Sequence, residues 1–133
     1  MKSYKSILVL LIACAITCLN ANAQNTEEKI EKRAKMLHET FTKSDKNLHK
    51  KFIEENFSSK LLEKYEISRH TNMLKKLNRD FGNSNIISIV TSNKSAKMVI
   101  ERISDKHKVT FDISFDPNEE YKINGFNIEA GEL

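Results

Sequence analysis

The apolar residues change their repeat once, at Gly82, and that change confines the chain to folds in which helices precede strands. Upstream, Ile30, Ala34, Leu37 and Phe41 recur at helical spacing and form one face. This predicts a helix from Thr26 to Phe41, capped by Asn25, with Glu27 and Glu28 at its positive end. Ser44-Asp45 opens a second helix with Leu48, Phe52 and Ile53 on its buried side. Ser58 caps a third piece carrying Leu61, Leu62 and Tyr65. Ser68 opens a fourth, in which Met73, Leu74, Leu77 and Phe81 point inward. Ile67 is placed to staple its entry, and Gly82 to end it in a left-handed conformation.

Downstream of Gly82 the pattern is that of strands. Asn85 to Thr91 is rich in β-branched residues. Ala96, Met98 and Ile100 alternate with Lys97, Val99 and Glu101. Val109, Phe111, Ile113 and Phe115 alternate with polar neighbours, the clearest half-buried strand in the chain. Asp116-Pro117-Asn118 makes a turn. The last strand holds Tyr121 and Ile123, then Phe126 and Ile128, a repeat that slips by one at Gly125. A β-bulge there restores both pairs to one face and bends the strand. The fold class is therefore α+β, with three to four N-terminal helices on a curved four-stranded antiparallel sheet.

The first 23 residues read as an export signal rather than as part of this domain. Lys2 and Lys5 precede an apolar run from Ile7 to Leu19, and Ala21-Asn22-Ala23 offers a small-x-small cleavage site. The run is short for a membrane span of about 20 residues. Leu11-Ile12-Ala13-Cys14 spells a lipoprotein signal, making a lipid anchor at Cys14 the minor alternative, but the segment stays apolar after Cys14. The expectation is an exported protein, periplasmic or secreted, with no membrane span after cleavage, whose mature domain is residues 24–133. Both cysteines fall in the signal, so a packed core must hold the mature domain together. With two of the 22 Lys+Arg and none of the 18 Asp+Glu removed, its net charge is 20 − 18 = +2. The two signs are interleaved, and no basic block of the kind that grips phosphate backbones is present; nucleic acid is not an expected partner.

Three stretches carry a family resemblance: "FIEENFSSKLLEK" (Phe52 to Lys64), "LKKLNRDFG" (Leu74 to Gly82) and "KINGFNIEAG" (Lys122 to Gly131). In this order the chain resembles the NTF2-like, or cystatin-like cone, module that precedes the catalytic domain of many exported bacterial serine hydrolases. Those include peptidases of the C-terminal-processing type and penicillin-binding-protein-like esterases. No hydrolase domain follows in this sequence, so none of that family's catalytic residues carries over. The resemblance implies a cone-shaped fold and an accessory or binding role, with a protein or peptide partner, a separate hydrolase among them, or a small apolar ligand.

The residues themselves offer little chemistry. His38, His49, His70 and His107 show no metal-ligand spacing and read as scattered surface residues, so neither a metal nor a cofactor is expected. No nucleophile motif occurs, and no catalytic residue is assigned. Asn56-Phe57-Ser58 and Asn93-Lys94-Ser95 match the glycosylation pattern, a match common by chance. Should the cone hold a pocket, Tyr65, His70, Asp80 and Tyr121 are the candidates to line its mouth. Against that, Tyr65 and Tyr121 read equally as half-buried packing residues, and Asp80 as a helix-end charge. The expectation is a non-catalytic binding domain; the alternatives are a small pocket enzyme of the same fold or a structural envelope component.

Overall fold

A computed structural model describes the backbone of residues 2–131 and the side chains of residues 21–131. Its order is α1 (Lys2–Thr42), α2 (Lys46–Asn56), α3 (Ser59–Lys64), α4 (Ile67–Phe81), β1 (Ser84–Thr91), β2 (Ser95–Arg102), β3 (Lys108–Asp116) and β4 (Lys122–Ala130). The four strands form an antiparallel meander in the order β1-β2-β3-β4. Helices stand on one face of that sheet, the α+β arrangement that the two repeats require.

Helix α1 does not start at Thr26. It runs through Asn25 without a cap, and Thr26 Oγ1 donates to Asn22 O at 3.0 Å, a bond made inside a helix. The reason lies in composition: no proline or glycine precedes Gly82, so nothing in Ala21–Asn25 breaks the helix. The apolar run proposed as an export signal, with Cys14, lies outside the residues whose side chains are described. Among residues with described side chains, no helix is long and apolar enough to cross a membrane.

The later helix starts follow local chemistry. Asp45 Oδ1 accepts from the N–H groups of Asn47 and Leu48 at 2.9 and 3.1 Å, capping α2. Ser58 Oγ accepts from Leu61 N at 3.2 Å, capping α3. Helix α4 begins one residue earlier than the pattern suggests. Glu66 stands at its N-cap without a side-chain bond, and Ile67, drawn into the first turn, is exposed rather than stapling it. Gly82 departs from expectation too, with right-handed φ −60° and ψ −26°. A glycine is needed there for space: a Cβ would collide with the Asn78 carbonyl.

Two bulges shape the sheet. In β1 the pairing shifts between Ile86 and Ser88, so Ile86, Ile89 and Thr91 oppose Ile100, Met98 and Ala96. Ile87 is the extra residue, which explains why the run "IISIV" does not alternate. In β4, Gly125 pairs with Ser114 while Ile123 pairs with Phe115, leaving Asn124 unpaired. Phe126 and Ile128 then return to the face of Ile113 and Phe111, as the slip at Gly125 predicts. Tyr121 is not part of that strand. It follows a 3-10 turn (Pro117–Glu119), and both Glu120 and Tyr121 adopt left-handed backbone, φ 52° and 59°.

The core lies between the helices and the concave face. Ile30, Ala34, Leu37 and Phe41 of α1 are fully buried, as are Met98, Ile100 and Phe111 of the sheet. Phe41 and Phe111 stack with centroids 5.6 Å apart. Leu48 is only half-buried; His49, one residue on, takes the inner position of α2. His49 Nε2 faces the carbonyls of Lys43 at 2.7 Å and Thr40 at 3.1 Å. Carbonyls only accept, so this nitrogen carries hydrogen and closes the C-terminus of α1. Asn78 Nδ2 adds a third such bond, to Phe41 O at 2.8 Å.

Candidate functional site

Where α3, the start of α4 and the β4 bulge meet, the side chains stop short of filling the space. They leave an open cavity of about 530 Å³. Phe57, Leu61, Met73 and Phe126 give it an apolar floor. Lys60, Lys64 and Arg69 stand at its rim, and Asn124 and Gly125 form one wall.

Three local features hold these walls in place. First, Ser58 is fully buried at the corner between α2 and α3. Its N–H donates to Ile123 O at 2.8 Å and its Oγ–H to Asn124 Oδ1 at 2.8 Å, fastening the α3 corner to β4. Second, the bulge turns Asn124 out of the ladder, which frees its amide for that bond. Third, Lys60, Leu61 and Lys64 share one side of α3, and Tyr65, in extended backbone at its C-cap, continues that wall.

The four candidate residues separate. Tyr65 and His70 belong to the cavity. The Tyr65 ring packs against the edge of His70 (5.9 Å) and beneath the Arg69 guanidinium, whose carbon lies 4.2 Å from the ring centroid. His70 packs edge-on to Phe57 at 5.1 Å and is almost wholly buried. Its Nε2 lies 3.2 Å from the Leu61 carbonyl and so carries the hydrogen. Burial pushes its pKa down, an effect only partly offset by the backbone oxygens of Leu61 and Tyr65, and Arg69 pushes it further. The ring is thus a neutral donor committed to the α3 backbone.

Asp80 and Tyr121 lie elsewhere. Asp80 is at the far end of α4, about 15 Å of helical rise from His70. Its carboxylate is bonded by Arg79 Nε at 2.9 Å, which holds its pKa below the usual carboxylate range. Tyr121 faces α1, its hydroxyl 3.5 Å from Thr26 Oγ1. A group of four around one mouth does not form.

The histidines are not the scattered surface residues their spacing indicates. His49 and His70 are 3% exposed and bond backbone carbonyls, and His38 is half-buried against Ser84. Ser84 Oγ gives its hydrogen to Phe81 O at 2.6 Å, so it accepts from His38 Nε2 at 3.1 Å. Asn56 of the first glycosylation match is buried as well. It is bonded by Arg33 at 3.1 Å and donates to Phe52 O at 3.0 Å.

Sequence reasoning missed Lys60, Lys64, Arg69 and Met73 as site residues. The signal was present in the spacing of "KLLEKY", but only the position of the bulge shows which face of α3 stays open. No protein-family model, curated protein or solved structure matches the chain.

Proposed function

We propose that the protein is a non-catalytic binding module of the NTF2-like kind, exported from the cell, whose ligand site is the cavity between α3, α4 and β4. One observation carries this reading: a space of about 530 Å³, within the usual range for small-molecule sites, has an apolar floor and a few placed polar groups. Its chemistry favours holding over reacting. No carboxylate is among its lining residues, and its histidine, His70, is neutral with its Nε2–H given to Leu61 O. The helices-then-meander order with a bent last strand supports the NTF2-like resemblance, and the basic-apolar start with Ala21-Asn22-Ala23 supports export.

The test is a titration of the purified protein with an uncharged apolar probe, 1-decanol, followed by amide NMR. Saturable shifts at Leu61, Met73, Gly125 and Phe126 are expected, and Met73→Trp, which fills the space, abolishes them. Shifts that survive Met73→Trp, or none at all, contradict the reading.

A second reading rests on a separate surface. Ile87 and Val90 of β1, an edge strand, are 51% and 67% exposed, the largest exposures among the large apolar side chains described. A protein or peptide partner laid along that strand covers them. The bulge at Ile87 blunts the edge, which favours the cavity as the principal site.

A further inference from the structure

We infer that the ligand of this cavity is a small amphipathic carboxylate, an apolar chain or ring system ending in one carboxyl group; this rests on the cavity being the binding site. The argument is electrostatic. Lys60, Lys64 and Arg69 are the charged residues lining the cavity, and all three are exposed. None takes part in the ion pairs formed among the described residues. Like charges four apart on a helix repel, and Lys60 and Lys64 stand so on α3. Glu119, the acidic group nearest the start of α3, is occupied: its carboxylate accepts from Ser59 N at 3.0 Å and Ser59 Oγ at 3.1 Å. Glu63 and Glu66, their acidic neighbours in the chain, do not line the cavity, so the lining carries three positive side chains and no carboxylate over an apolar floor.

The geometry also fixes what kind of anion fits. Arg69 sits over the Tyr65 ring, its carbon 4.2 Å from the centroid, a contact that restrains its planar fork, the group suited to a carboxylate. Leu61, Met73, Phe57 and Phe126 offer nothing to a bare inorganic ion but cover an alkyl chain. The bound molecule has its carboxylate among Lys60, Lys64 and Arg69 and its chain over Met73 toward the β4 bulge.

The experiment compares decanoate, 1-decanol and inorganic phosphate on the purified protein at low salt, read by amide NMR and calorimetry. Decanoate is expected to bind about ten-fold tighter than decanol, and phosphate not to shift the cavity residues. In the triple variant Lys60→Gln, Lys64→Gln, Arg69→Gln, decanoate is expected to bind no tighter than decanol. These side chains are exposed, so the fold is retained. Equal affinity for decanol and decanoate overturns the inference and leaves the cavity as a neutral apolar site. Phosphate binding as tight as decanoate overturns it in favour of a plain anion site. If neither ten-carbon probe binds, both the inference and the binding-site reading fail.

Discussion

Ser58 Oγ and Asn124 Oδ1 meet at 2.8 Å across 66 residues of chain, joining the corner before α3 to the bulge of β4. The same Ser58 Oγ accepts from Leu61 N, so one buried hydroxyl both starts the helix and ties it to the sheet. Ser58→Ala removes both bonds. The expected loss of stability is about 1–2 kcal/mol, the cost of a missing cap and an unpaired amide. Urea denaturation measures it. A midpoint equal to that of the parent protein means the α3–β4 tie carries no stability.

Core and surface alternate along β3, and a pair of neighbouring substitutions tests it. Phe111 is fully buried against Phe41, whereas Asp112 points outward to Lys97 at 3.4 Å. Phe111→Ala is expected to cost about 3–5 kcal/mol. Asp112→Ala loses only a surface ion pair, about 0.5 kcal/mol or less. Similar denaturation midpoints for the two variants contradict the face assignment.

The two periods in the sequence carry most of this architecture. The face Ile30-Ala34-Leu37-Phe41 and the alternation Val109-Phe111-Ile113-Phe115 bury as their spacing dictates, because one face of each element must leave water. The bulge near Gly125 is legible too, since two apolar pairs out of phase fit one core only with an extra residue. Element ends were harder. The place of Gly82 after Phe81 predicts a left-handed stop, yet the glycine is needed for its missing Cβ, a close approach that no local pattern encodes. His49 replaces Leu48 on the inner face because the carbonyls ending α1 need donors, and those carbonyls arrive from another element. The candidate site was half legible for the same reason. Tyr65 and His70 are close in sequence and stay together, while Asp80 and Tyr121 depended on a tertiary placement that the helix length and the left-handed turn decide otherwise.

The glycines divide by space. Gly82→Ala forces a Cβ against Asn78 O and is expected to lower stability by about 1 kcal/mol or more. Gly125→Ala meets only Ser114 Oγ, at 3.5 Å, an ordinary contact, and its backbone is not left-handed. Its expected change is within about 0.5 kcal/mol. Thermal melts of the two variants check the order, and a reversal contradicts it.

Stability should depend on pH in two steps. His38 and His70 both have pKa values pushed down, chiefly by burial. Each is therefore neutral in the fold and binds a proton more readily when unfolded. Their contribution is complete above the unfolded value of about 6.5 and is lost as pH falls below it. Asp80 and Asp105 are held down by bonds from Arg79 and Arg102, so their contribution is lost only as pH falls below about 4. Melting temperature is expected to decline first as pH falls below about 6.5 and again below about pH 4. The double variant His38→Gln, His70→Gln keeps the second decline and loses the first. A first decline that persists in it places the titrating group elsewhere.

The central claim is that a small molecule is held between α3, α4 and β4. Its most direct measurement is the set of intermolecular NMR contacts between bound decanoate and the methyl groups of the protein. Contacts from the decanoate chain to Met73 and Leu61 are predicted, with none to Ile87 or Val90 on β1. Contacts confined to Ile87 and Val90, or a chain that touches no methyl group of the cavity, contradict the account.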